Sequence, residues 1–272
     1  VNSQTWRDRW DWVHTISAWI PSILWGVAFA NLVQGMHIEV VQISNGAVVP
    51  AEQVPADSLV AGAAHQITGG LPTMVTPFTL LGGVVTCLLF LNHGALFVAL
   101  KTTDELSQRA LGLSRRLAPV ATAVTAAWAL WAQLAYSGSA LSWIPLAIAA
   151  AGLIGSLLGG RTGSQGRAFA LHFVGIAFAA VFIFAAMVPN VMRSSVDPAY
   201  SLTIQQAASA DTTLLIMTVA AAVFVPGVLA YTIWSYKVFA SRISVESINP
   251  DQGGLHPTLV RDSAQPEAHF GY

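Results

Sequence analysis

The chain has 272 residues, of which 54% are hydrophobic and 9% charged, whereas a soluble domain carries roughly a quarter of its residues as charges. That composition excludes a water-soluble globule, and 12 Lys and Arg against 13 Asp and Glu exclude the broad basic field that nucleic acid demands. A single cysteine, Cys87, lies inside an apolar run and allows neither an internal disulfide nor a multi-thiolate metal site.

The first segment, Trp6-Arg7-Asp8-Arg9-Trp10-Asp11-Trp12, interleaves aromatic rings with charges. It lacks the apolar core and small-residue cleavage site of a secretory signal, so it reads as a membrane-surface segment. Beyond it, the runs free of Asp, Glu, Lys and Arg cover residues 13–38, 58–100, 117–160, 168–192 and 212–236. A helix crosses roughly 30 Å of hydrocarbon with about 20 mainly apolar residues, so each run holds at least one crossing.

The first run predicts a span near residues 14–36. In the second, the part before Pro77 contains His65, Gln66, Gly69, Gly70 and Pro72 and is poorly apolar, which leaves 77–100 as the span. The third is too long for one crossing. It must fold back at Ser137-Gly138-Ser139, a small polar cluster, giving spans near 118–136 and 143–159. Spans near 168–188 and 212–236 complete an all-α, polytopic transmembrane helix bundle of about six crossings over residues 1–246. Residues 247–272, polar and proline-containing, read as a cytoplasmic tail.

Positive charge tests that count, because short cytoplasmic loops collect Lys and Arg. With the N-terminus inside, Arg7, Arg9, Lys101, Arg109, Arg115, Arg116, Arg161, Arg167, Lys237, Arg242 and Arg261 all fall on the cytoplasmic side, and Arg193 alone falls outside. Five or seven spans would scramble the separation. The long segment 36–76, acidic and free of Lys and Arg, is expected outside as a loop. Trp143 and Trp234 with Tyr236 stand at span edges, where an interfacial aromatic belt sits.

No carboxylate lies within the six expected spans, which weakens a proton-relay or ion-coupled transporter reading, since such proteins keep ionisable groups at depth. His93 and His172 are histidines that fall inside the expected spans. Bis-imidazole haem ligation needs one histidine from each of two facing helices. Both residues, however, fall near the inner ends of their helices, where ordinary hydrogen-bonded histidines are the preferred reading and haem ligation the alternative. No catalytic residue and no metal-ligand set is assigned, and cofactor-binding residues stay unassigned. Gly82-Gly83, Gly152 with Gly155, and Gly159-Gly160 predict close helix approach, and Pro226 predicts a kink in the last span. A six-span permease is a second reading of the same features.

Three separated blocks carry a family resemblance. The first is Trp6 to Trp12 followed by Trp25-Gly26-Val27-Ala28-Phe29-Ala30-Asn31-Leu32-Val33-Gln34-Gly35. A second comprises Pro77-Phe78-Thr79-Leu80-Leu81-Gly82-Gly83, Gly94-Ala95 and Leu100-Lys101-Thr102. The third runs through Pro189-Asn190-Val191-Met192, Ser194-Ser195, Ser201-Leu202-Thr203-Ile204, Pro226-Gly227-Val228-Leu229-Ala230-Tyr231-Thr232 and Tyr236-Lys237-Val238-Phe239. Together they resemble subunit II, the non-haem subunit, of cytochrome bd-type quinol oxidases.

The resemblance implies a nine-helix family fold, of which this sequence would carry six helices and lack the N-terminal three with their acidic residues. It implies a terminal oxidase of an aerobic respiratory chain in the bacterial cytoplasmic membrane, oxidising quinol and reducing dioxygen to water. Haem b, haem d and the quinol site are then expected on the partner, subunit I, with none of them bound by this chain alone. A small single-span accessory subunit and a membrane lipid or quinone are further expected partners.

Overall fold

Long charge-free runs leave the peptide groups no polar partner in hydrocarbon except one another, and the helix satisfies them within one segment. The computed structural model describes residues 4–44, 47–49 and 63–244. Among them, six helices are long and apolar enough to cross a membrane.

Helix α1, Gln4–Gln34, begins well before the span expected near 14–36. Its Trp, Arg and Asp residues hold no helix breaker, and the helix stops only at Gly35, whose φ of 99° is the left-handed conformation that ends helices and favours glycine. A short helix α2, Gly70–Met74, precedes α3, Pro77–Lys101. Thr76 fixes the start of α3 by accepting from the Thr79 amide in a reciprocal capping box, with Pro77 in the first turn, where its missing N–H costs nothing.

Helix α4, Asp104–Trp131, also begins earlier than the span expected near 118–136. Its charged first half is helical because it is amphipathic. Ser107, Ala110, Leu111 and Ser114 are buried at helical spacing, while Arg109, Arg115 and Arg116 are exposed, and Asp104 and Glu105 complement the helix N-terminus. The chain then passes through a π-helical turn, Ala132–Tyr136, and breaks at Ser137-Gly138-Ser139. Helices α5, Trp143–Arg161, and α6, Gln165–Met187, follow. After a short helix α7, Ile204–Ala207, comes α8, Asp211–Val238.

Helix α3 lies at the centre, against α1, α4 and α6, while α5 and α6 form the most intimate pair. Their approach depends on glycine. A Cβ built on Gly152 of α5 would stand 2.7 Å from the backbone nitrogen of Gly175 in α6, closer than real carbon contacts allow. The core beneath gathers Phe78, Trp128, Leu153 and Phe182, with Phe78 stacked on Trp128 at 5.3 Å between ring centres.

The segment expected as a plain outer loop contains a three-stranded antiparallel sheet. Strand β1, Ile38–Ser44, pairs with β2, Ala47–Val49, on one side and β3, Ala63–Ile67, on the other. Ile38, Val40 and Val41 are buried, so the two-residue alternation of a half-buried strand runs from Ile38 through Glu39 to Val40 and breaks at Val41. Across the ladder from Val40 stands His65, whose imidazole burial holds below its ordinary value of 6.5. The unfolded segment therefore takes up a proton more readily than the sheet does, and the sheet's stability is full above about pH 6.5 and declines as pH falls. His65→Gln is expected to flatten that small decline, measured by amide hydrogen exchange of β1.

Strand β4, Asn190–Met192, pairs with β5, Leu202–Thr203, in the connection between α6 and α8. Helix α8 has no buried residue. It is tied to the others at its C-terminal end, where the Ile243 amide donates to the Lys101 carbonyl at 2.8 Å and the Thr103 amide to the Ile243 carbonyl at 3.2 Å. The tail expected at 247–272 lies outside the described residues.

Candidate functional site

Successive residues on a helix point about 100° apart, so α3 reaches two different helices through Asn92 and His93. Asn92 turns to α4 and accepts a hydrogen bond from Ser114 Oγ at 2.8 Å. His93 turns to α6, where its Nδ1 lies 3.2 Å from Nδ1 of His172. Asn92 and His172 are 1% and 2% exposed. Phe169, one turn before His172, stacks on the His93 ring at 4.5 Å, and the two imidazoles lie 5.3 Å apart with their planes 23° apart.

One Nδ1 must donate and the other accept, so the pair holds two complementary tautomers. The contact leaves His172 Nε2 and Asn92 Nδ2 buried without a protein partner. Such atoms are positions that an ordered water fills in protein interiors.

The geometry does not fit bis-imidazole haem ligation. Two metal–imidazole bonds of about 2 Å on opposite faces of a macrocycle hold the ligating nitrogens about 4 Å apart, with the ring plane between them. Here the rings touch through their own hydrogen bond. No group of three or more His, Cys, Asp or Glu able to hold a metal ion occurs among the described residues. Cys87 is not part of the cluster and lines a groove between α1, α3 and α4. The structure thus joins the two histidines singled out in the sequence and adds Asn92, a polar residue in an apolar helix, with Ser114 and Phe169, which carried no signal of their own there.

At the opposite end of the bundle, Arg193 donates to the Tyr136 carbonyl beside the Ser137-Gly138-Ser139 break. Ser142 Oγ meets Gln133 Oε1 at 2.7 Å and Ser137 Oγ at 2.8 Å. The Met36 amide donates to the Arg193 carbonyl at 2.9 Å, and the Ser195 amide to the Met36 carbonyl at 2.8 Å. Loops following α1, α4 and α6 are thereby fastened together. Burial lowers the proton affinity of the Arg193 guanidinium, but arginine stays charged at any pH a protein tolerates.

Fold and site define a polytopic helical membrane protein whose buried polar side chains are hydroxyls, amides and an imidazole, with no buried carboxylate among the described residues. The family model described as cytochrome bd terminal oxidase subunit II matches residues 1–239. The chain is 30% identical over 252 residues to cytochrome bd ubiquinol oxidase subunit 2 of Bacillus subtilis (strain 168), covering 90% of this chain and 67% of that protein. It is 28% identical over 292 residues to the probable cytochrome oxidase subunit 2 of Haemophilus influenzae, and 28% identical over 289 residues to the cytochrome bd-I ubiquinol oxidase subunit 2 of Escherichia coli K12. Each of these two alignments covers 94% of this chain and 71% of the relative. The chain belongs to the cytochrome bd terminal oxidase subunit II family. The permease reading finds no support in these relatives.

Proposed function

We propose that this chain is the non-haem subunit of a quinol:dioxygen oxidoreductase, in which subunit I carries haem b, haem d and the quinol site, and dioxygen is reduced to water. The observation that carries the proposal is helix α8, an apolar crossing of 28 residues with no buried residue. A helix left so bare in a multi-span chain finds its packing in other protein, because bundle helices associate through close van der Waals contact. The His93–His172 pair supports the same division of labour. Its two rings are in direct contact through their Nδ1 atoms, which leaves no room for a macrocycle between them.

In this reading residues 1–246 are the membrane bundle, with spans near 14–36, 77–100, 118–136, 143–159, 168–188 and 212–236, and 247–272 a polar tail. Both chain ends face the cytoplasm of a bacterium in this reading, which the one-sided distribution of Lys and Arg supports. A single-span accessory subunit belongs to the complex as a further partner. A membrane lipid or quinone occupies apolar space at the surface, such as the groove of about 590 Å³ lined by Trp19, Cys87, Phe90 and Val98. Affinity purification through this chain is expected to bring down a haem-bearing membrane protein with quinol-dependent oxygen consumption. Recovery of a colourless chain alone, from membranes that contain the oxidase, would overturn the assignment.

A further inference from the structure

We propose that the cleft between α4 and α5 binds the phosphodiester headgroup of an anionic phospholipid through Arg115 and Arg161. The proposal rests on the lipid-facing bundle described above and adds a site and a headgroup class to it. The cleft encloses about 210 Å³ at the end of the bundle where α5 stops at Arg161. Leu111, Ala118 and Leu157 line its apolar wall, Ser114 and Ser156 its depth, and the two arginines complete it.

The polar groups divide the cleft by chemistry. Ser114 Oγ donates to Asn92 and Ser156 Oγ to the Ala168 carbonyl at 2.8 Å, so both buried hydroxyl protons are already committed. The donors left are the guanidiniums. Arg115 Nε makes one long contact, 3.4 Å, to the Gly160 carbonyl, which holds this side chain toward α5. Among the described residues the Arg161 side chain makes no hydrogen bond and neither arginine meets a carboxylate. Glu105, earlier on α4 and not part of the cleft, is paired with Arg109 at 2.5 Å.

Two unneutralised guanidiniums therefore share an apolar-walled cleft at the end of a membrane span. A planar fork of N–H donors matches phosphate oxygens, and basic pockets between transmembrane helices hold anionic headgroups in this way. The apolar wall receives the glycerol end of an acyl chain, which a free phosphate ion lacks. The occupant is thus a lipid and not a soluble anion.

The test uses the whole oxidase complex, stripped of loosely held lipid in a neutral detergent. Retained phosphatidylglycerol and phosphatidylcholine of equal chain length are counted by native mass spectrometry, and the haem spectrum is recorded on the same samples. The unaltered complex is expected to retain phosphatidylglycerol over phosphatidylcholine, and inorganic phosphate is expected not to displace it. R161Q, which removes a charge without removing a hydrogen bond, should lower phosphatidylglycerol retention about tenfold. R115Q/R161Q should lower it further, and R161K, which keeps the charge but not the planar fork, should restore part of it.

Equal retention of the two lipids, unchanged retention in R161Q, or displacement by phosphate would each overturn the proposal. Loss of the haem-bearing partner from R161Q with lipid retention unchanged would also overturn it, by assigning the cleft to a carboxylate of the partner. Lipid is scored on the mass of this chain, so a failure of the partner assignment registers in the haem spectrum and leaves the lipid result standing.

Discussion

Gly152→Ala is expected to destabilise the subunit by about 1–3 kcal/mol, read as a lowered denaturation midpoint of the purified complex. The added methyl would lie 2.7 Å from the Gly175 nitrogen and 2.9 Å from both Gly175 Cα and the Leu171 carbonyl oxygen. All three are backbone atoms of α6, so nothing short of moving one helix away from the other relieves the overlap. Gly175→Ala should cost less. Its nearest neighbours at 2.8 and 2.9 Å are Leu153 side-chain atoms, which can change rotamer. Gly112→Ala supplies the opposite sign: nothing lies within 4 Å of a Cβ there, and alanine in a helix is expected to gain about 0.5–1 kcal/mol. Equal effects at all three positions would show that glycine here serves backbone flexibility and not close packing.

The contrast between these glycines shows what a sequence carries and what it withholds. The apolar runs and the Ser137-Gly138-Ser139 break are local, and the number of long helices follows from them. Gly152 and Gly160 look alike in sequence, yet Gly152 stands against Gly175 while Gly160 meets nothing within 4 Å. The difference is set by where α6 lies. The helical first half of α4 was legible in principle, since Ser107, Ala110, Leu111 and Ser114 repeat at helical spacing. Its charges drew attention to a cytoplasmic loop and away from that periodicity. In the same way, the alternation from Ile38 to Val40 is a strand signal inside a segment read as loop.

The polar cluster was half legible. His93 and His172 stand out because ionisable residues are costly in a membrane. Their meeting across 79 positions of chain depends on the packing of α3 on α6, which no local pattern states. Asn92 could have been suspected as a polar residue in an apolar helix, but its partner Ser114 belongs to a stretch read as lying outside the membrane. The fastening of Arg193 to Tyr136 likewise joins two loops through a backbone carbonyl, a group every residue has and no sequence distinguishes.

His172→Ala is expected to cost about 2–4 kcal/mol while leaving the haem spectrum of every assembled complex unchanged. Removing the ring opens a cavity in a site only 2% exposed and strips His93 of its hydrogen-bond partner. Replacing both rings by apolar ones tests whether the cost is polar or steric. In His93→Phe with His172→Phe, the volume is kept, the hydrogen bond is removed from both sides, and the unpartnered His172 Nε2 disappears with it. A buried pair replaced on both sides in this way is close to neutral, so the double phenylalanine variant should be more stable than either single alanine. With His93→Phe and His172→Phe also measured singly, the double-mutant cycle isolates the coupling between the rings, expected at about 1 kcal/mol. A changed haem spectrum in an assembled variant would restore the histidines as haem ligands. An unchanged spectrum with a measurable coupling leaves them as what their 3.2 Å contact makes them, a polar pin between α3 and α6.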